Sequence, residues 1–296
     1  MSAYSRLDHA FLNAPLLPLT NRSRYVLVSD CHRGIGTSSD NFLKNQHLYF
    51  AALEHYYRQG FTYIELGDGD ELWENRNMKN IIDVHSNVFW LFKLFYQENR
   101  LYLLYGNHDI VKRKKNYPAK SCSTFFCTQS QQMQPLFPDL TFHEGIILTT
   151  GTPPAHTPRV SLYLTHGHQA SLLNSTLWPI SRFLVRYVWN PLENLGVLDP
   201  TSAAKNYRIK NKCEILLNRW AQEKHRILIT GHTHRPVLPD GPAHYYNTGS
   251  CVHPRCITCI EIERMAMTLV KWSMTTRADS MLYVAREVIS GPVSLL

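Results

Sequence analysis

The sequence contains no run of about 18 uncharged apolar residues, the length that a bilayer-spanning helix needs. The nearest stretch, residues 172–189, is broken by Asn174, Pro179, Arg182 and Arg186. No secretory pattern opens the chain either: prolines interrupt the apolar patch at Leu16, Leu17 and Leu19, and no cleavage site follows. The seven cysteines lack a paired framework. Cys256 and Cys259 form one CxxC and Cys122 and Cys127 a loose pair, without the second pair that a zinc knuckle requires. Cys256 to Cys259 reads instead as strand. These absences point to a reducing, cytoplasmic compartment, with peripheral membrane contact through the 172–189 stretch left open. There is no internal repeat and no low-complexity segment.

A chain of 296 residues can bury roughly 75 % of its unfolded surface. That suits one large domain with insertions, residues 1–296 with a main body over about 20–275, or one domain plus a small cap. Net charge is +8 with a pI near 9.1, so an anionic partner is expected. The excess gathers at Lys112, Arg113, Lys114, Lys115 and Lys120. It gathers again between Lys205 and Arg226, where only Glu214 and Glu223 oppose seven cations. Both runs read either as solvated faces or as a positive field around a phosphate site.

Short β-rich runs alternate with longer helical patterns, which predicts a layered α/β fold. Residues 25–29, 62–66, 101–105, 144–150, 159–165, 226–230, 244–247, 257–263 and 267–273 read as strands. Asp40 caps a helix running to Gln59, with Phe42, Leu43, His47, Phe50, Leu53 and Tyr57 on one stripe. A second helix covers about 79–99 and a third about 201–224. Residues 110–140 and 169–225 read as insertions overhanging a site, the first without clear period, and residues 151–158 as a Gly/Pro-rich turn.

One arrangement occurs five times: an apolar strand, then a small loop carrying Asp, His or Asn. The loops are Asp30-Cys-His32, Gly67-Asp68-Gly-Asp70-Glu71, Gly106-Asn107-His108-Asp109, His166-Gly-His168 and Gly231-His232-Thr-His234. Ligand groups in open α/β sheets sit beyond the carboxyl ends of strands, so the five loops are expected to converge. Nine of the fifteen histidines lie outside these loops and are read as surface or structural residues. Carboxylate, imidazole and amide donors together suit a pair of borderline divalent ions.

At these loops the sequence resembles the calcineurin-like metallophosphoesterase superfamily, whose pattern is D-x-H, G-D-x-x-[DE], G-N-H-[DE], a lone His and G-H-x-H. The turn Asn247-Thr-Gly-Ser250 resembles one that follows the last motif in many members. The resemblance implies a four-layer α/β/β/α sandwich of two mixed sheets with flanking helices. It implies two divalent ions, manganese first with iron or zinc as alternatives. Asp30, His32, Asp68 and His234 would hold one, and Asp68, Asn107, His166 and His232 the other, Asp68 bridging. A metal-bridging hydroxide would attack phosphorus in line. His108 would protonate the leaving oxygen, oriented by Asp109, while Glu71 would orient a ligand. Asn107 and Arg33 are candidate phosphate contacts, Arg33 equally a surface residue. His168 is a second ligand or a structural hydrogen bond.

The bond type is open among phosphomonoester, phosphodiester and pyrophosphate. Classical protein phosphatases carry Arg after the position of Glu71 and Glu at that of Asp109; here Leu72 and Asp109 stand there. The UDP-diacylglucosamine pyrophosphatases place apolar lid helices between the lone His and G-H-x-H, as residues 169–225 do here, although they usually read G-N-R-D where this chain has His108. A non-catalytic metal-binding scaffold for a protein partner is the alternative of another class. A nuclease is disfavoured, since no aromatic-basic recognition motif accompanies the charge.

Overall fold

The computed structural model describes residues 1–37, 40–137, 139–151, 159–189 and 206–296. In chain order the strands are β1 (Leu16–Pro18), β2 (Arg24–Val28), β3 (Thr62–Leu66), β4 (Leu101–Leu104), β5 (Thr124–Cys127), β6 (Gln132–Pro135) and β7 (Phe142–His143). There follow β8 (Gly145–Thr149), β9 (Ser161–Thr165), β10 (Ile227–Thr230), β11 (Tyr245–Asn247), β12 (Cys256–Glu263), β13 (Ala266–Thr276) and β14 (Leu282–Ser294). The helices are α1 (Ala3–Ala10), α2 (Gln46–Arg58), α3 (Met78–Val84), α4 (Ser86–Gln97), α5 (Tyr117–Ser121), α6 (Leu172–Ser175), α7 (Trp178–Leu184) and α8 (Tyr207–Glu223).

Two mixed sheets form the middle of the molecule. One runs β14-β13-β12-β2-β3-β4-β7, parallel from β2 to β7 and antiparallel from β2 to β14. The other runs β1-β8-β9-β10-β11, with β8 and β9 its one antiparallel pair. Leu27, Ile64, Leu66, Ile146, Leu164, Ile229 and Ile260 meet between them in an apolar layer. Outside the seven-stranded sheet, α2 and α4 pack Leu48, Leu53, Phe89, Phe92 and Phe95 onto Val26, Tyr63 and Leu103. Outside the five-stranded sheet, α1 and α8 pack Leu7, Phe11, Leu217 and Trp220 onto Leu228 and Tyr245. The expected α/β/β/α sandwich is present. The central parallel strands are covered on both faces, which is why they read as unbroken apolar runs rather than alternating ones.

Several elements differ from the sequence reading. The carboxylate of Asp40 accepts the N–H groups of Phe42 and Leu43, and a 3-10 turn over Leu43–Asn45 precedes α2. That turn rotates the helix, so the buried stripe is Leu48, Tyr49, Ala52, Leu53 and Tyr56, while His47 is exposed. The helix expected over 79–99 is two helices broken at His85, whose Nε2 lies 3.3 Å from the buried Asp40 carboxylate. Within 110–140 the hairpin β5–β6 packs on α3 and α4 and extends the helical layer. Beyond residue 275, β14 adds an edge strand anchored by Arg286 on Glu261. Residues Leu16–Pro18, read as a broken apolar patch, pair in parallel with β8.

Cys256 and Cys259 lie on β12 as expected, and all seven cysteines are free thiols. Residues 152–158 of the expected turn and the 190–205 interval, with the start of the helix expected from 201, lie outside the described residues. Among the described residues no helix is long and apolar enough to cross a membrane.

Candidate metal centre

The five loops converge at the carboxyl ends of β2, β3, β4, β9 and β10. The first two are zipped together: Asp30, His32 and Arg33 donate their N–H groups to the carbonyls of Gly67, Asp68 and Gly69 at 2.9–3.1 Å. Gly67 adopts φ +94°, and a Cβ there would lie 2.6 Å from the Gly106 nitrogen. The second and third loops could not approach so closely with a side chain at that position. Five non-glycine residues of the site hold left-handed backbone: Asp30 (φ 52°), His32 (48°), Asp68 (50°), His232 (69°) and His234 (55°). Such conformations cost of order 1–3 kcal/mol each and cluster where side-chain direction matters more than backbone comfort.

Each carboxylate is fixed by one oxygen and turns the other toward the imidazoles. Asp30 Oδ2 accepts the Ser29 hydroxyl and the His232 N–H (the latter at 2.9 Å), whereas its buried Oδ1 accepts no hydrogen bond. That Oδ1 lies 3.1 Å from His234 Nε2 and 3.9 Å from His32 Nε2, and the two Nε2 atoms are 3.3 Å apart. Asp68 Oδ1 accepts the His108 N–H at 2.8 Å. Its Oδ2 faces His166 Nε2 at 3.1 Å and His32 Nε2 at 3.8 Å, between the two halves of the site. Asn107 Oδ1 lies 3.2 Å from His166 Nε2. Asp30, His32 and His234 thus form one group able to hold a metal ion, and Asp68, His166 and His232 a second. A buried carboxylate oxygen without a donor, beside imidazole nitrogens turned toward one another, fits a cation between them.

Electrostatics agree with this fit. Burial alone lowers every imidazole pKa here. For His32 the hydrogen bond to Glu71 and the charges of Asp68 and Asp30 override it and raise the value to about 10. For His166 burial is outweighed by Asp68 and Asp30, giving about 9. His232, equally buried and facing the charge of His166, falls to about 3. Burial disfavours ionised Asp68, yet His166 and His108 hold it well below the usual carboxylate range. The carboxylates therefore draw positive charge into the site, protons competing with metal for the same atoms.

All seven residues expected to bind metal are brought together, but three neighbours behave differently. Arg33, expected on phosphate or at the surface, is fully buried: Nε binds Asp70 at 2.8 Å and the terminal nitrogens bind Glu65 at 2.8 and 3.0 Å. Every arm of the guanidinium is used and none reaches the cleft. Asp109 does not orient His108; it accepts the Gly106 N–H at 2.7 Å and Lys112 at 2.6 Å. The partner of His108 is Glu71, 2.7–2.9 Å from Nδ1, which also binds His32 Nδ1 at 2.9 Å. Asp109 is one residue from His108, but the turn sends the two side chains to opposite sides of the loop. His168 is buried with Nδ1 unpartnered, its ring 5.5 Å from that of His166.

Three residues near the site escaped the sequence reading. Lys112, read as part of a basic surface run, is buried between Asp70 and Asp109; its i+3 spacing from Asp109 was the available signal. Trp73 stacks on His108 with ring centroids 4.2 Å apart. Asn174 of α6 approaches His232 Nε2 at 3.3 Å, and no local pattern marks it.

No family model and no curated protein sequence matches the chain. Among solved structures, that of Chaetomium thermophilum Vps29 aligns at 10 % identity and a TM-score of 0.42, covering 91 % of this chain and 97 % of that chain. A likeness that slight carries no argument.

Proposed function

We propose that the chain is a metal-dependent phosphoester hydrolase with two divalent ions, manganese being the first candidate. The observation that carries this reading is the pair of adjoining ligand groups, Asp30–His32–His234 and Asp68–His166–His232, with Oδ2 of Asp68 facing His166 and His32 between them. Asp30, His32, Asp68 and His234 would hold one ion, and Asp68, Asn107, His166 and His232 the other. Ions bound there supply Lewis acidity toward phosphoryl oxygens and a nucleophile at neutral pH.

The remaining chemistry falls to this chain's own side chains. Glu71 holds Nδ1 of His108, leaving Nε2 to deliver a proton to the leaving oxygen. Burial lowers the His108 pKa, but the charges of Glu71 and Asp68 and the Glu71 hydrogen bond outweigh it and raise it above the ordinary value, which favours the proton-carrying form. The His108 and His234 side chains remain 22 % and 20 % exposed, so a substrate can reach them. The net charge of +8 favours an anionic substrate.

A second reading, a pyrophosphatase acting on a nucleotide–lipid, is favoured by the segment covering the site. Leu172, Leu173, Ile180, Phe183 and Tyr187 are exposed there, and residues 172–189 contain no acid. We take 1–296 as one domain in which this segment is the cap, and the same side chains are where peripheral membrane contact would occur. The test is metal analysis followed by one panel: p-nitrophenyl phosphate, its bis-ester, a phosphopeptide, a UDP-sugar lipid and single-stranded DNA. Metal-dependent turnover identifies the bond type. Two bound metals with no turnover of any substrate would favour a scaffold.

A further inference from the structure

Besides the approach of Asn174 to His232, the covering segment is tied to the loop that follows Glu71. Arg186 donates from Nε to the Trp73 carbonyl at 2.6 Å and from a terminal nitrogen to the Leu72 carbonyl at 3.0 Å. Its guanidinium is thus spent on backbone oxygens of the loop that follows Glu71. A second tie lies one turn away, where Arg76 donates to the Tyr187 hydroxyl. Trp73 in turn touches both members of the proton-donating pair. Its backbone N–H donates to Glu71 Oε1 at 3.2 Å, and the indole of this buried residue, 4 % exposed, stacks on His108 at 4.2 Å with 24° between the planes.

We propose that Trp73 and Arg186 are positioning residues for His108: Arg186 straps the covering segment to the 71–76 loop, and Trp73 passes that constraint to the imidazole. Glu71 alone fixes one nitrogen of the ring and leaves rotation about that hydrogen bond. The indole face removes the rotation, and the strap keeps the indole in place. The proposal rests on His108 being the proton donor. It predicts that residues more than 100 positions apart in the chain govern one proton transfer, and that the covering segment sets chemistry as well as access.

The experiment uses full-length protein with matched p-nitrophenyl and phenyl esters, a good and a poor leaving group, of whichever ester class is turned over. A correctly aimed acid matters most for the poor one. In Trp73→Ala and Arg186→Met, kcat on the phenyl ester is expected to fall about 10-fold more than on the p-nitrophenyl ester, with KM and metal content unchanged. Trp73→Phe should restore most of the loss, and Arg186→Lys, which keeps charge but not the fork, should lie between. Independently of turnover, Arg186→Met should move the His108 ring signals in NMR of histidine-labelled protein, because the indole above them shifts.

Equal slowing of both esters, no slowing, or an unmoved His108 signal in Arg186→Met would overturn the strap. His108→Gln separates this from the underlying reading. If that variant discriminates between the esters while Trp73→Ala and Arg186→Met do not, only the strap fails. If His108→Gln itself does not discriminate, the proton-donor role fails and the strap with it.

Discussion

The cleft and the layer directly beneath it are built from the same loops, yet they are opposite in character. His32, Asp68, Asn107 and His108 face the cleft; Arg33, Asp70, Asp109 and Lys112, their near neighbours in sequence, face inward. Beneath the cleft every charge is met: Arg33 binds Glu65 and Asp70, and Lys112 binds Asp70 and Asp109 at 2.6 Å each. In the cleft Asp30 Oδ1 has no donor, and the Nε2 atoms of His32 and His234 face each other. A saturated network holds shape, because each group loses more by leaving than by staying. An unsaturated one at equal depth leaves polar atoms open to a further group. Two buried polar clusters built from the same loops are thus told apart by satisfaction.

Substitutions on either side of this divide should have different signatures. The largest effect is expected from Asp68→Ala, which should remove at least one metal equivalent and all turnover, read by elemental analysis and assay; wild-type metal content would contradict the bridging assignment. His108→Gln should retain both metals while turnover of a poor leaving group falls roughly 10²–10⁴-fold. Lys112→Met acts on the other cluster. It leaves the Asp70 and Asp109 carboxylates buried without their cation and should cost about 3–5 kcal/mol in denaturant unfolding. A loss under 1 kcal/mol would mean that water or rearrangement replaces the lysine.

The smallest effect sharpens the comparison by pH. Burial opposes ionised Asp70, but Arg33 and Lys112 lower its pKa from 3.8 to about 2. Because the folded value is the lower one, its stabilisation is complete above the unfolded value and is lost as pH falls through the folded one. The stability gap between wild type and Asp70→Asn should therefore close as pH falls from about 4 to about 2, in urea titrations at each pH. A gap that persists at the acid end would show that Asp70 acts through packing instead of charge.

Much of this was legible along the chain. The strand-then-loop repetition marks the five loops because a parallel strand buried on both faces must be apolar, and its end is the first place where polar groups can emerge. The donor types within those loops and the helices flanking the sheets follow from the same periodic reading. Arg33 and Lys112 were misplaced because a cation in a basic sequence is ordinarily at the surface, and only a fold that stacks three carboxylates under the cleft draws them inward. The resemblance implies Asp109 as the partner of His108, but side-chain direction at a tight turn depends on backbone angles that a motif does not encode.

By itself, then, the sequence determined the central strands, where their polar ends lie and which donor types gather there, since these depend on local periodicity and composition. Tertiary structure decided which neighbour faces the cleft, that Glu71 serves both His32 and His108, and that Trp73 and Arg186 reach the site from opposite ends of a gap of more than 100 residues. Those are contacts between segments distant in the chain, and no local rule can specify them before the sheets have packed.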